Sequence, residues 1–163
     1  MLLCGGSAIA QGLPGGATSL NETHADWTLT CAAVQSTVRC TVSQAQVNGA
    51  NRQRILAIEL TPAEGGSAAN GTLVLPFGLA LDQGIVLSID EDASLPPLRF
   101  STCLPAGCLV PLAFDRDAVT SMRIGTALKV KATASGNAQE VGFSISLSGF
   151  TAALARAAEL GGP

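Results

Sequence analysis

Tyrosine is absent from this chain, tryptophan occurs once (Trp27), and histidine occurs once (His24). Charged residues make up 13% of the sequence, no basic run occurs, and the formal net charge is −3. Platforms for base stacking and patches for phosphate neutralisation are therefore both missing, and nucleic acid is not an expected partner. His24 falls in a stretch rich in Gly, Ser, Thr and Asn, and no G-x-S-x-G occurs. A nucleophile would be left without a base, and His24 reads as a solvated side chain. There is no G-x-x-x-x-G-K-[ST] to cradle a phosphate and no C-x-x-C of the thioredoxin type. The lone histidine and the cysteine spacings match no zinc pattern, and the EF-hand spacing is missing. No metal and no cofactor is expected. No apolar run approaches the ~18–20 residues of a membrane-spanning helix.

What the chain does have is apolar substance and punctuation. Hydrophobic residues make up 47% of 163 residues, enough for one domain with a core. Eighteen glycines and eight prolines favour short strands and many turns over long helices. No internal repeat and no second domain is visible.

Five cysteines are present. The first, Cys4, belongs to an N-terminal stretch ending Ala8-Ile9-Ala10-Gln11, whose Ala8-x-Ala10 is the small-residue pattern of a signal-peptide cleavage site. That stretch lacks a positive beginning and a full apolar segment, so residues 1–10 read as the remnant of a secretory signal. Leu3 stands where a lipobox needs a small residue, so Cys4 is not a lipidation site. Removal of Cys4 leaves Cys31, Cys40, Cys103 and Cys108, an even set with three possible pairings. Proximity favours Cys31–Cys40 and Cys103–Cys108.

Both pairs fit local geometry. Trp27 to Ala33 and Val38 to Ser43 alternate apolar and polar residues, the period of a half-buried strand. With Val34 to Thr37 as the loop, Ala33 faces Val38, Cys31 faces Cys40 and Leu29 faces Val42. Both sulfurs then share the apolar face. Between Cys103 and Cys108 lies Leu104-Pro105-Ala106-Gly107, in which proline and glycine supply turn chemistry. Apolar runs flank it: Pro97 to Phe100 before and Leu109 to Phe114 after. Each disulfide closes a short loop, for a stabilisation of about 2–3 kcal/mol.

Residues 11–25 carry no periodicity and read as a flexible leader. Further strands are expected at Arg54 to Thr61, Thr72 to Leu75, Gly84 to Asp90, Thr126 to Ala132 and Val141 to Leu147. A long turn is expected from Pro62 to Gly71, and a structured bend from Pro76 to Gly84. Asp115 is placed to cap a short helix over Arg116 to Arg123, with Gly125 beyond its end. Phe150, Ala153, Leu154, Ala157 and Leu160 recur at helical spacing and predict a closing helix that packs on the sheet. The pattern is all-β: a sandwich or barrel of antiparallel strands with minor helices, one domain over residues 26–160.

The densest acidic cluster is Asp90-Glu91-Asp92, the one place that offers paired carboxylates as acid and base. Its position at a strand end beside Pro96-Pro97 reads first as a solvated loop. An enzyme at Asp90–Asp92 remains the alternative reading, with carboxylates of raised pKa gathered in a pocket as its signature. A shallow apolar patch near the Pro76–Gly84 bend would favour a binding module instead.

Trp27-x3-Cys31, Cys40, Pro76-x-Gly78-x2-Leu81-x2-Gly84, Ile89-Asp90, Cys103-x3-Gly107-Cys108 and Ser146-Leu147-x-Gly149-Phe150-x2-Ala153-Leu154 together resemble the invasion-associated locus B family. The resemblance covers about residues 27–154. It implies an exported bacterial protein with an immunoglobulin-like antiparallel β-sandwich, in the periplasm or at the cell surface. Some members are linked to host-cell invasion, while many occur in free-living bacteria. It implies no catalytic residues. The expected partner is a protein or another envelope component.

Overall fold

The structure, a computed structural model, describes residues 12–92 and 94–162. Ten strands and two helices follow in chain order: β1 (Ser19–His24), β2 (Trp27–Val34), β3 (Thr37–Val47), β4 (Arg54–Ala63), β5 (Ala68–Leu75), β6 (Val86–Ile89), β7 (Thr102–Leu104), β8 (Gly107–Phe114), α1 (Arg116–Ile124), β9 (Ala127–Thr133), β10 (Glu140–Ser146) and α2 (Phe150–Gly161). All pairings between strands are antiparallel. They build a seven-stranded sheet in the order β1-β2-β3-β4-β5-β8-β7 and a three-stranded sheet in the order β10-β9-β6.

The larger sheet buries one face. On β2, Trp27, Leu29 and Cys31 are buried while Thr28, Thr30 and Ala32 are exposed. The β2–β3 register pairs Ala33 with Val38, Cys31 with Cys40 and Leu29 with Val42, as the alternation predicts. The second layer is shared between the small sheet and the helices. α2 lies over β2 and β3, while β6, β9 and β10 add Leu87, Leu128, Val130 and Ile145 to the same core. Trp27 and Phe150 meet at its centre, with ring centroids 5.3 Å apart and a tilt of 59°, a favoured aromatic arrangement. The Trp27 indole N–H donates to Ser146 O at 2.9 Å, so its one polar atom is satisfied.

Both helices start where the residues dictate. The Asp115 carboxylate accepts from Ala118 N at 2.9 Å and caps α1. α2 begins after Gly149, at φ 87°, where a Cβ would overlap the carbonyl oxygen of His24. That glycine lets the helix start against the end of β1. Phe150, Ala153, Leu154 and Ala157 form its buried stripe.

The two sheets also meet through side chains. Gln44 Nε2 donates to Ser146 O at 3.0 Å, Ser146 N donates back to Gln44 Oε1 at 3.3 Å, and Gln46 Nε2 donates to Ser144 O at 2.6 Å.

Three expectations need correction. Residues 11–25 are not a flexible leader throughout: Leu13 is buried and Ser19–His24 forms β1, paired along its length with β2. The long turn from Pro62 to Gly71 shrinks to Glu64–Ser67, because β4 runs on through Pro62 and Ala63 and β5 starts at Ala68. The strand before the cysteine turn is Thr102–Leu104, whereas Leu98 exchanges backbone bonds of 2.9 Å with Ile85. The signal remnant at 1–10 lies outside the described residues.

Candidate functional site

Two carboxylates of the acidic cluster, Asp90 and Glu91, have structural duties, and Asp92 is exposed. Asp90 sits at φ 51°, and its carboxylate accepts from Thr126 N at 3.0 Å and Ala127 N at 2.9 Å. Those backbone N–H groups hold its carboxyl below the usual range. The Glu91 carboxyl is lowered in the same sense by the Lys129 ammonium that it pairs with. A general acid needs the opposite shift. Asp90 therefore fastens the end of β6 to the start of β9.

His24 is likewise engaged. Its Nε2 lies 3.1 Å from Glu22 Oε2. Arg156 Nε and Nη2 donate to the same Glu22 carboxylate at 3.3 Å, and Nη1 donates to Glu159 at 3.0 Å. The Arg156 bond is the main cause that holds the Glu22 carboxyl below its ordinary range. The cluster ties β1 to α2. Among the described residues no group of three or more His, Cys, Asp or Glu side chains is arranged to hold a metal.

Two clefts of several hundred Å³ open on the described surface, and a proline makes each of them. Along β4, pairing with β3 stops at Val42–Leu60, and two positions further on the register would set Cys40 against Pro62. Pairing with β5 stops at Ala57–Val74, and two positions further on the register would set Ile55 against Pro76. Proline has no N–H to give, so each ladder ends there and the strands diverge. The gap beyond Pro62 is a cleft of about 620 Å³ between β3, β4 and the end of α2. Its walls carry small residues with one charge of each sign, Arg39 and Glu64.

The gap beyond Pro76 is different. It measures about 540 Å³ and is walled by Arg54 to Leu56, by Pro76 and Phe77, and by Pro105 to Gly107. Phe77 is 61% exposed on its rim, and Leu104, opposite Gly107 in the hairpin, is 50% exposed. Leu81, further along the same bend, is exposed as well. Exposed apolar side chains thus lie along the Pro76–Gly84 bend, beside a cleft whose walls are mixed polar and apolar. Neither cleft is lined by any of Asp90, Glu91 or Asp92.

The cysteine hairpin forms one wall of this second cleft. Cys103 and Cys108 are direct cross-strand partners joined as a disulfide, with Cα atoms 3.9 Å apart. Gly107, at φ 138°, lies so close to β5 that a Cβ would stand 2.5 Å from Leu75 O. The disulfide and this close approach hold the Pro105–Ala106 tip against the end of β5. Cys31 and Cys40 are joined in the same way, with Cα atoms 4.1 Å apart, under α2.

Sequence reading singled out the cysteine turn and the Pro76 bend but not their meeting place. Arg54, Ile55 and Phe77 gave no signal of their own. The available signal was the pair of prolines, Pro62 within β4 and Pro76 just after β5, each set where a ladder along β4 ends.

The chain matches the family described as "Invasion associated locus B (IalB) protein" over residues 27–158. It is 47% identical over 150 residues to an invasion protein B homolog of Brucella abortus (strain 2308), an alignment covering 92% of this chain and 86% of that protein. It is 34% identical to invasion protein B of Bartonella bacilliformis, with 91% of this chain and 80% of the relative covered. The crystal structure of invasion associated protein B from Bartonella henselae superposes with a TM-score of 0.80 at 30% identity, covering 87% of this chain and 97% of that one.

Proposed function

The chain belongs to the invasion associated locus B family, and on that premise we propose that it is an exported binding module of the periplasm or cell surface. Its partner is a protein or another envelope component, and no catalytic step is part of its work. The association serves the envelope, or host-cell invasion where the bacterium is invasive. Relatives named invasion protein B support the second setting. The two cystines favour an oxidising compartment, because thiols stay reduced in the cytosol.

One observation carries the reading. At the Pro76 cleft an exposed aromatic, a proline-tipped turn and an arginine converge on a recess whose wall is covalently braced. Asp90 and Glu91, two of the three carboxylates of the acidic cluster, are engaged elsewhere with backbone N–H groups and with Lys129.

Site-specific photo-crosslinking in the producing bacterium tests it. A crosslinking residue at Ala106, on the cleft wall, should give a discrete adduct with an envelope component. The same residue at Ala32, exposed on the outer face of β2, should give none. Equal adducts from both positions, or none from Ala106, would overturn the reading.

A further inference from the structure

We propose that the Pro76 cleft receives an extended acidic peptide segment, added as a short strand along β4. The proposal rests on the binding reading above and names the partner's chemistry. Three independent features of the cleft point the same way.

The first is the backbone. Over Arg54 to Leu56, β4 remains paired with β3 through Gln46–Leu56 and Val47–Arg54, with a bulge between them. On its other side pairing has ended at Ala57–Val74, and the residue that the register would set against Ile55 is Pro76. The main chain of Ile55 therefore has no strand partner on the cleft side. A rigid strand with one open side is the receptor half of strand addition, in which main-chain bonds supply affinity. Bulges are found beside such terminations of pairing.

The second feature is charge. Arg54 lines the cleft and is exposed, and it forms no ion pair among the described residues. Arg52 lies two residues earlier in the β3–β4 turn, and among the described residues no Asp or Glu lines the cleft. A local excess of positive charge stands out on a chain whose net charge is −3. It complements a carboxylate, for which the guanidinium fork is well shaped.

The third feature is the apolar wall. Pro76, Phe77 and Pro105 line the side of the cleft opposite β4. Alternate side chains of a strand share a face about 7 Å apart. A peptide with an acidic residue and an apolar residue two positions away sets one toward Arg54 and the other toward Phe77.

Two labelled nonapeptides of equal apolar content, one with glutamate and one with lysine at the alternate positions, give the test. The full folded chain is titrated by fluorescence polarisation and by amide chemical-shift mapping. The glutamate peptide should bind more tightly and shift the amides of Ile55, Phe77 and Ala106. Arg54→Gln should weaken it about tenfold, the loss of one charge-assisted contact. Phe77→Ala should weaken both peptides, Arg99→Gln should weaken neither, and melting curves verify that each variant is folded. N-methylation of the peptide at alternate amides should abolish binding if a strand is added. Unimpaired binding of the methylated peptide would overturn strand addition. Equal binding of the lysine peptide at the cleft would overturn acidic selectivity while leaving the binding reading intact. Shifts from neither peptide at the cleft, together with no adduct from Ala106, would overturn both.

Discussion

In the β2–β3 hairpin, Cys31 and Cys40 face each other beneath α2, and both are buried. In the β7–β8 hairpin, Cys103 is exposed on an edge strand of three residues and only Cys108 is buried. The sequence separations are 9 and 5, and both pairs are direct cross-strand partners. Loop length alone separates the two by only about 0.5 kcal/mol of chain entropy. The environment makes the difference. The first cystine is part of the core, touched by the helix that closes the fold. The second braces a turn at the rim, where its consequence is the shape of a recess.

The largest expected effect comes from Cys31→Ala combined with Cys40→Ala. Loss of the crosslink and of buried packing under α2 should cost roughly 3–5 kcal/mol and lower the melting temperature by about 10 °C. Urea unfolding measures it. A loss no larger than that of the second pair would break the contrast. Cys103→Ala with Cys108→Ala should cost about 2 kcal/mol or less. Its signature should be altered amide shifts over Leu104 to Gly107 and at Phe77, with the β2–β3 signals unmoved. Graded reduction of the native protein should open Cys103–Cys108 first, because an attacking thiolate can reach Cys103 and not the buried pair. Alkylation and peptide mapping at each step give the order, and simultaneous labelling of all four cysteines would contradict it.

The smallest effect sharpens the contrast through the helix. Glu22 holds α2 to β1 through Arg156, and its carboxyl is lowered from an ordinary value near 4.5. A lowered native pKa contributes stability above that value and loses it as pH falls through the native pKa. Glu22→Gln should therefore be less stable than the parent at neutral pH, with the gap closing below about pH 4.5. Hydrogen exchange along α2 at the two pH values checks the sign. A gap that widens in acid would refute the linkage.

These contrasts also mark how far the residues spoke for themselves. The β2–β3 register was legible because alternation and cysteine spacing select the same pairing. α2 was legible from one apolar stripe. β1 was not, because its inward positions are Leu20, Glu22 and His24, and the last two satisfy one another and an arginine of α2. Period-two reading weighs apolar residues and is blind to a strand whose inner face is held by charge. The second layer was only half legible: a helix packed on the sheet was expected, but not that it would cover β2 and β3 while a separate three-stranded sheet covers the rest. At Pro62 the composition of small polar residues suggested a turn, yet β4 continues, paired with β5 through Pro62–Ala69. Proline ends only the ladder that its missing N–H would have joined. The cleft was the least legible, since it depends on where three strand ends meet in space.

The bonds from Gln44 and Gln46 to β10 bear on how this chain tolerates crowding. β10 is the outer strand of the small sheet, and an open strand edge is a template on which a second molecule can grow. The two glutamines, about 100 residues earlier in the chain, occupy Ser144 O and both backbone groups of Ser146. Neighbouring copies find those positions taken, so the Ser144–Ser146 end of that edge is closed to strand addition. The protection is conformational, since it exists only once β3 and β10 have come together. A nascent chain is therefore open to association at this edge until its last strand is in place, and the Ser144–Ser146 end is guarded from then on.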